Sequence, residues 1–119
     1  MAQKKQPFDQ VLTASASAGS NDLSTKQVKP GWLWCIQRAG VENETTAYTD
    51  LRLLKVGRAA DFLLAEEDSP EAATLYWDTD PVYLMEGQRY VARLSGCTAS
   101  DVLKAYLTGW KAKTAEITP

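Results

Sequence analysis

The sequence predicts an all-β domain, an antiparallel β-sandwich or barrel, preceded by an extended N-terminal arm. Three observations carry that expectation. From Trp32 onward the chain falls into short apolar runs separated by turn residues. The runs recur about every ten residues, the rhythm of a small sandwich or barrel. Ahead of them, Ala14 to Ser24 is rich in Ala, Ser, Gly and Asn, with Leu23 its only large apolar side chain. Lys29-Pro30-Gly31 marks an abrupt entry into the folded region, so residues 1–29 are read as the arm and residues 30–119 as the sandwich domain. A chain of 119 residues fits one domain with a modest core.

Seven segments read as strands. Trp32 to Gln37 is aromatic and branched, a composition suited to a pleated surface, and Asn43-Glu44-Thr45-Thr46 is a polar turn. Tyr48 to Val56 alternates imperfectly and is closed by Gly57. Phe62 to Ala65 is stopped by the acidic Glu66-Glu67-Asp68-Ser69-Pro70. Thr74 to Trp77 ends at Asp78-Thr79-Asp80-Pro81, and Val82 to Met85 follows. The Glu86-Gly87-Gln88 turn leads into Arg89 to Leu94. The last run, Val102 to Trp110, places Leu103, Ala105 and Leu107 on one face and Val102, Lys104, Tyr106 and Thr108 on the other. Helix competes at two places. Ser69 could cap a short helix with Pro70 in its first turn. Ser100 to Leu107 could form another, but strand is preferred because its neighbours are strands and Gly109 suits a longer helix poorly.

Composition narrows the chemistry. The chain has no histidine, which removes the commonest general base, zinc ligand and pH switch. Cys35 and Cys97 form no metal-binding pattern; they could be joined if their strands adjoin, but the reading favours two buried free thiols. No base stands ready to activate a serine, threonine or cysteine, and no glycine-rich loop could cradle a phosphate. The carboxylates Asp78 and Asp80, and Glu66, Glu67 and Asp68, read as solvated turns rather than as an acid/base pair or a cation cage. The expectation is a protein that is not an enzyme, with no cofactor and no metal. The net charge of −2 gives no footprint for nucleic acid. No run is long and apolar enough to span a membrane, and Val11 to Ala16, interrupted upstream by Pro7 and Asp9, is not read as a secretory signal.

Two features remain as candidates for binding. The first is aromatic. Trp32 and Trp34 share one side of a strand and are expected in the core, whereas Trp77 and Trp110 are possible interface residues. The second is the arm. Residues 1–30 carry Lys4, Lys5, Lys26 and Lys29 against Asp9 and Asp22, a mildly basic segment on an acidic body. Ordering it costs more backbone entropy than burial of its few large apolar residues returns. It therefore needs extensive backbone pairing or neighbouring chains, and adding a strand to another subunit's sheet would serve. The candidate partner-binding residues of the arm are Lys4, Lys5, Phe8, Val11, Leu12, Leu23 and Val28.

Several stretches taken together resemble a known family. Pro30-Gly31-Trp32-Leu33-Trp34 to Asn43-Glu44-Thr45, Leu75-Tyr76-Trp77, and Glu86 to Asp101 with its Val91-Ala92-Arg93 and Gly96-Cys97-Thr98-Ala99 look like small structural proteins of tailed bacteriophages. The resemblance covers roughly residues 30–110 and rests on turn and core patterns. It implies a jelly-roll-like sandwich and a capsid decoration (cement) protein on the outer surface of the head, stabilising the shell. The implied partners are the major capsid protein and sister copies, as a homo-oligomer on the capsid, with no nucleic acid and no membrane. The implied location is the virion, after synthesis in the host cytoplasm. A head–tail connector or a tail- or fibre-associated virion protein would fit the same features. So would a carbohydrate-binding β-sandwich module stacking sugars on Trp77 or Trp110.

Overall fold

The computed structural model describes residues 5–114. Among them are nine β-strands and no α-helix. The strands are β1 (Gln6–Ser15), β2 (Gly19–Ser24), β3 (Trp32–Asn43), β4 (Asp50–Val56), β5 (Asp61–Asp68), β6 (Tyr76–Asp78), β7 (Val82–Leu84), β8 (Arg89–Cys97) and β9 (Val102–Lys113). They form two antiparallel sheets. One has five strands in the order β1-β9-β3-β6, with β7 also pairing β3; the other has four in the order β2-β8-β4-β5. Because β6 and β7 pair successive parts of β3, at Ala39–Val41 and at Trp34–Ile36, they act as one interrupted strand. The chain then has eight strand positions and crosses between the sheets at every connection except β4 to β5 and β6 to β7. That winding is a jelly roll.

The arm is where sequence and structure part. Extended it is, but it is not separate from the domain. Strand β1 pairs with β9 in unbroken register from Gln6↔Lys111 to Ser15↔Val102, and β2 pairs with β8. The backbone pairing that the arm needed is supplied by its own chain. Phe8, Leu23 and Val28 accordingly lie buried in the chain's own core, which corrects their assignment to a partner. Lys4 lies outside the described residues.

The core forms because each strand alternates. Leu12, Ala105, Val41 and Tyr76 stand side by side across the five-stranded sheet and face inward. They meet Leu23, Leu51, Leu53, Tyr90, Ala92 and Leu94 from the other sheet. Leu84, Leu94 and Leu103 are wholly buried, each stabilising the fold by about 1.5–3 kcal/mol. Three sequence expectations shift. Glu66 to Asp68 continue β5 instead of ending it, because Arg52 on β4 lies opposite Glu66. Ser69 to Ala73 form an irregular loop with Ser69 and Ala73 at positive φ, not a helix. The last strand runs on to Lys113.

One end of the sandwich is tied by a buried polar knot. Asn43 and Asp101 are almost completely inaccessible. Asp101 Oδ2 accepts from Asn43 Nδ2 at 2.9 Å, Thr46 Oγ1 at 2.6 Å and the Thr98 amide at 2.8 Å. Asn43 Oδ1 accepts from the amides of Thr45 and Thr46. The knot joins the β3–β4 loop to the β8–β9 loop, and pairing of this kind is what makes buried polar groups tolerable. Burial alone would raise the Asp101 pKa, but these hydrogen bonds outweigh it and hold the carboxyl below its ordinary range.

Candidate interaction surface

The two outer faces of the sandwich differ in character. On the four-stranded sheet, register places Asp22, Arg93, Arg52 and Glu66 in one row. Arg93 grips Asp22 with two hydrogen bonds, at 2.8 and 3.1 Å, and Arg52 lies 2.7 Å from Glu66 and 3.2 Å from Asp50. Arg52 lowers the Glu66 pKa, while partial burial and the neighbouring Glu66 raise that of Asp50. Asp50, Glu66 and Asp68 lie close enough to share a cation, but Arg52 already supplies the counter-charge. Ion pairs dominate this row, although the exposed Phe62 and Leu63 lie on β5 of the same sheet.

The outer face of the five-stranded sheet mixes polar residues, among them Asp9, Lys104, Thr108, Arg38 and Glu42, with exposed apolar ones. Val11, Trp77, Tyr83 and Val102 point outward from four of its strands, and Leu75 and Met85 flank them just past strand ends. These six are most of the exposed large hydrophobic residues; Phe62 and Leu63 on β5 are the others. Single exposed hydrophobics are ordinary, but several on one sheet face make that face the candidate interaction surface.

Two local arrangements shape the face. Trp77 lies across Gly40, its partner in the β3–β6 ladder. A Cβ at Gly40 would fall 2.6 Å from the indole, so glycine there makes the room. The Arg38 guanidinium sits 4.7 Å from the Trp77 ring centroid. Further along, Cys35 pairs with both Tyr83 and Trp110. Those two rings meet edge to face with centroids 6.2 Å apart, and Lys5 Nζ stands 4.5 Å from the Trp110 ring. Cys35 is buried beneath them. Burial pushes its thiol pKa up, only partly offset by Tyr83 and Lys5.

The aromatic candidates Trp77 and Trp110 thus come together on one face, Trp77 half exposed and Trp110 half buried. Of the arm candidates, Val11 and Lys5 join them, while Leu12 packs inward. Sequence reading missed Tyr83, Met85 and Val102. Their signal was available: each lies next to an inward residue, Leu84 or Leu103, so alternation alone puts it outside. Trp32 and Trp34 do face inward, but at the rim of the core, where Trp34 packs on Phe8 with ring centroids 4.9 Å apart. Cys35 and Cys97 are both buried and unbonded. Asp78 and Asp80 share a turn, in which the Asp80 amide donates to Asp78 Oδ1 at 3.1 Å.

The chain matches no protein-family model and no curated protein. Fold and surface together define it as a jelly-roll sandwich with most of its exposed large hydrophobics on or beside the five-stranded sheet.

Proposed function

We propose that the chain is a bacteriophage virion structural protein, a capsid decoration protein that seats the aromatic face of its five-stranded sheet on the shell. The observation that supports the reading best is the set of exposed Val11, Trp77, Tyr83 and Val102 on one outer face. Ten paired residues in length and about four strands in width give that face roughly 600 Å². One side of a standard protein–protein interface is about 800 Å². Tyr, Trp, Met and Arg, the residue types that anchor interfaces, supply the exposed Trp77, Tyr83, Met85 and Arg38. The partners are the major capsid protein and sister copies of the chain, and the protein is not an enzyme.

The arm keeps a role within this reading. Strand β1 is the outermost strand of its sheet, and its outer edge can still accept a strand from a neighbouring subunit.

The test is co-sedimentation of the full chain with purified shells of the phage that encodes it. The variant Val11→Ser/Trp77→Ala/Tyr83→Ser, checked for native spectra, should lose most of its shell binding. Undiminished binding would sink the proposal. A copy number matching the coat subunits fits a shell protein, whereas a single ring of copies would move it to the neck or tail.

A further inference from the structure

We infer that the sandwich carries, at the rim where Trp32 and Trp34 sit, a cleft that binds an acidic sugar. The inference is independent of the proposed capsid role and uses different residues.

The cleft has about 190 Å³ of space and is lined by Lys26, Gln27, Lys29, Trp32, Trp34 and Lys111. A second hollow of about 380 Å³ adjoins it, sharing Lys26, Trp34 and Lys111 and extending along β1 from Pro7 to Gln10. Lys113 stands just beyond, with its Nζ 5.8 Å from the Trp32 ring centroid, and that of Lys111 is at 5.5 Å. The ammonium groups of Lys111 and Lys113 thus stand near the Trp32 ring, and Lys26 and Lys29 line the same cleft, in a chain whose net charge is −2. Among the described residues none of the four makes an ion pair. One carboxylate, Asp9, lines the second hollow, where it accepts a hydrogen bond from the Thr108 hydroxyl and stands alone against the lysines. Like charges that outnumber the carboxylate among them repel one another, so the site gains from an anion.

The site is pre-formed. Thr25 and Val28 are buried and anchor the segment that carries Lys26 and Lys29. The Thr25 amide donates to Tyr90 O at 3.0 Å and the Val28 amide to Gln88 O at 2.9 Å. Gly31, at φ +84°, turns the chain so that Trp32 N donates back to Lys29 O. The backbone that carries the two lysines is thus fixed, which reduces the entropy lost on binding.

The chemistry of the ligand follows from the side chains. Lysine ammonium groups bind a carboxylate as point charges, without the fixed bidentate geometry of an arginine fork, which the lining does not hold. The indoles offer flat apolar surface to the C–H face of a sugar ring. Hollows of this size hold one or a few rings, and the chain lacks the long basic stripe that would track a nucleic acid backbone. A uronate-bearing oligosaccharide meets all three conditions.

The experiment titrates the full chain with trigalacturonate, following tryptophan fluorescence and amide chemical shifts. Saturable binding is expected, with shifts concentrated at Lys26 to Trp34 and Lys111 to Lys113, and weakening as salt is raised. The variant Lys26→Gln/Lys29→Gln, both positions being exposed, should bind roughly tenfold or more weakly. The corresponding Arg variant should retain most of the binding, which separates charge from any change in fold. No saturable binding, equal binding of neutral maltotriose, full competition by inorganic phosphate at equal concentration, or tighter binding of a short oligothymidylate would each overturn the inference.

Discussion

Phe8 and Val11 sit three residues apart on one strand and face opposite sides of a sheet, one buried against Trp34 and the other in solvent. Phe8→Ala should cost about 3–5 kcal/mol, whereas Val11→Ser should change stability by less than about 0.5 kcal/mol. Urea denaturation of the two variants measures both, and a small loss for Phe8→Ala would show that β1 adds little to the core. Gly109 makes a sharper case. A Cβ there would lie 1.9 Å from the Cys35 carbonyl oxygen, beside the irregularity in the β3–β9 ladder between Ile36 and Arg38. Gly109→Ala should therefore cost about 1–3 kcal/mol or more by overpacking. Read in the sequence, this glycine argued only against a helix. Its close approach to β3 could not be seen without the register. Asp101 predicts a pH effect. Its folded pKa lies below the ordinary value of 3.8, so its stabilisation is fully present above that value and is lost as pH falls through the lowered one. The Tm gap between the wild type and Asp101→Asn should narrow as pH drops below about 4. A gap constant down to acid pH would contradict the hydrogen-bonded carboxylate.

At the level of elements, the strands with dense apolar content were legible. Trp32 to Ile36, Val82 to Leu84 and the alternation of Leu103, Ala105 and Leu107 each carry enough branched and aromatic residues to read as strand. The first two strands were not, for a physical reason. Both lie at sheet edges, where a strand is paired along one side only and needs fewer packing side chains. Strand β1 carries the inward set Phe8, Gln10, Leu12 and Ala14, a period-two pattern blurred by Gln and Ala. Strand β2, Gly19–Ser24, has Leu23 alone, and no local signal separates it from a linker. Of the candidate surface, Trp77 and Trp110 were legible as aromatics, but their common face required the β3 register. The corrected topology changes what truncation does. Removing residues 1–24 takes an edge strand from each sheet and uncovers Leu103, Ala105 and Leu107 on one side and Ala92 and Leu94 on the other. The truncated chain should show no cooperative thermal transition by circular dichroism. A native-like transition would restore the arm as a detachable segment.

For the whole molecule, the difference between its outer faces is also a difference in chemical access. Tyr83 and Trp110 cover Cys35, and Cys97 is buried in the core, where burial raises its thiol pKa as well. A thiol reagent should label neither cysteine quickly in the native protein and both at once in denaturant. Tyr83→Ala should speed labelling of Cys35 alone, and equal acceleration at Cys97 would mean that the variant had loosened the entire sandwich.

The seating of β9 between β1 and β3 has a further consequence, which belongs to biosynthesis. The first strand made finds its partner in the ninth, and the ribosome delivers that partner only after everything between them. Until then β1 and β3 each lack a neighbour, and no subset of the nascent chain can close the five-stranded sheet. Non-local pairing of this kind slows folding and leaves unpaired strands open to association. The nascent polypeptide is therefore most vulnerable to aggregation just before Val102 to Lys113 emerges, and a pause in translation ahead of that stretch should lower soluble yield.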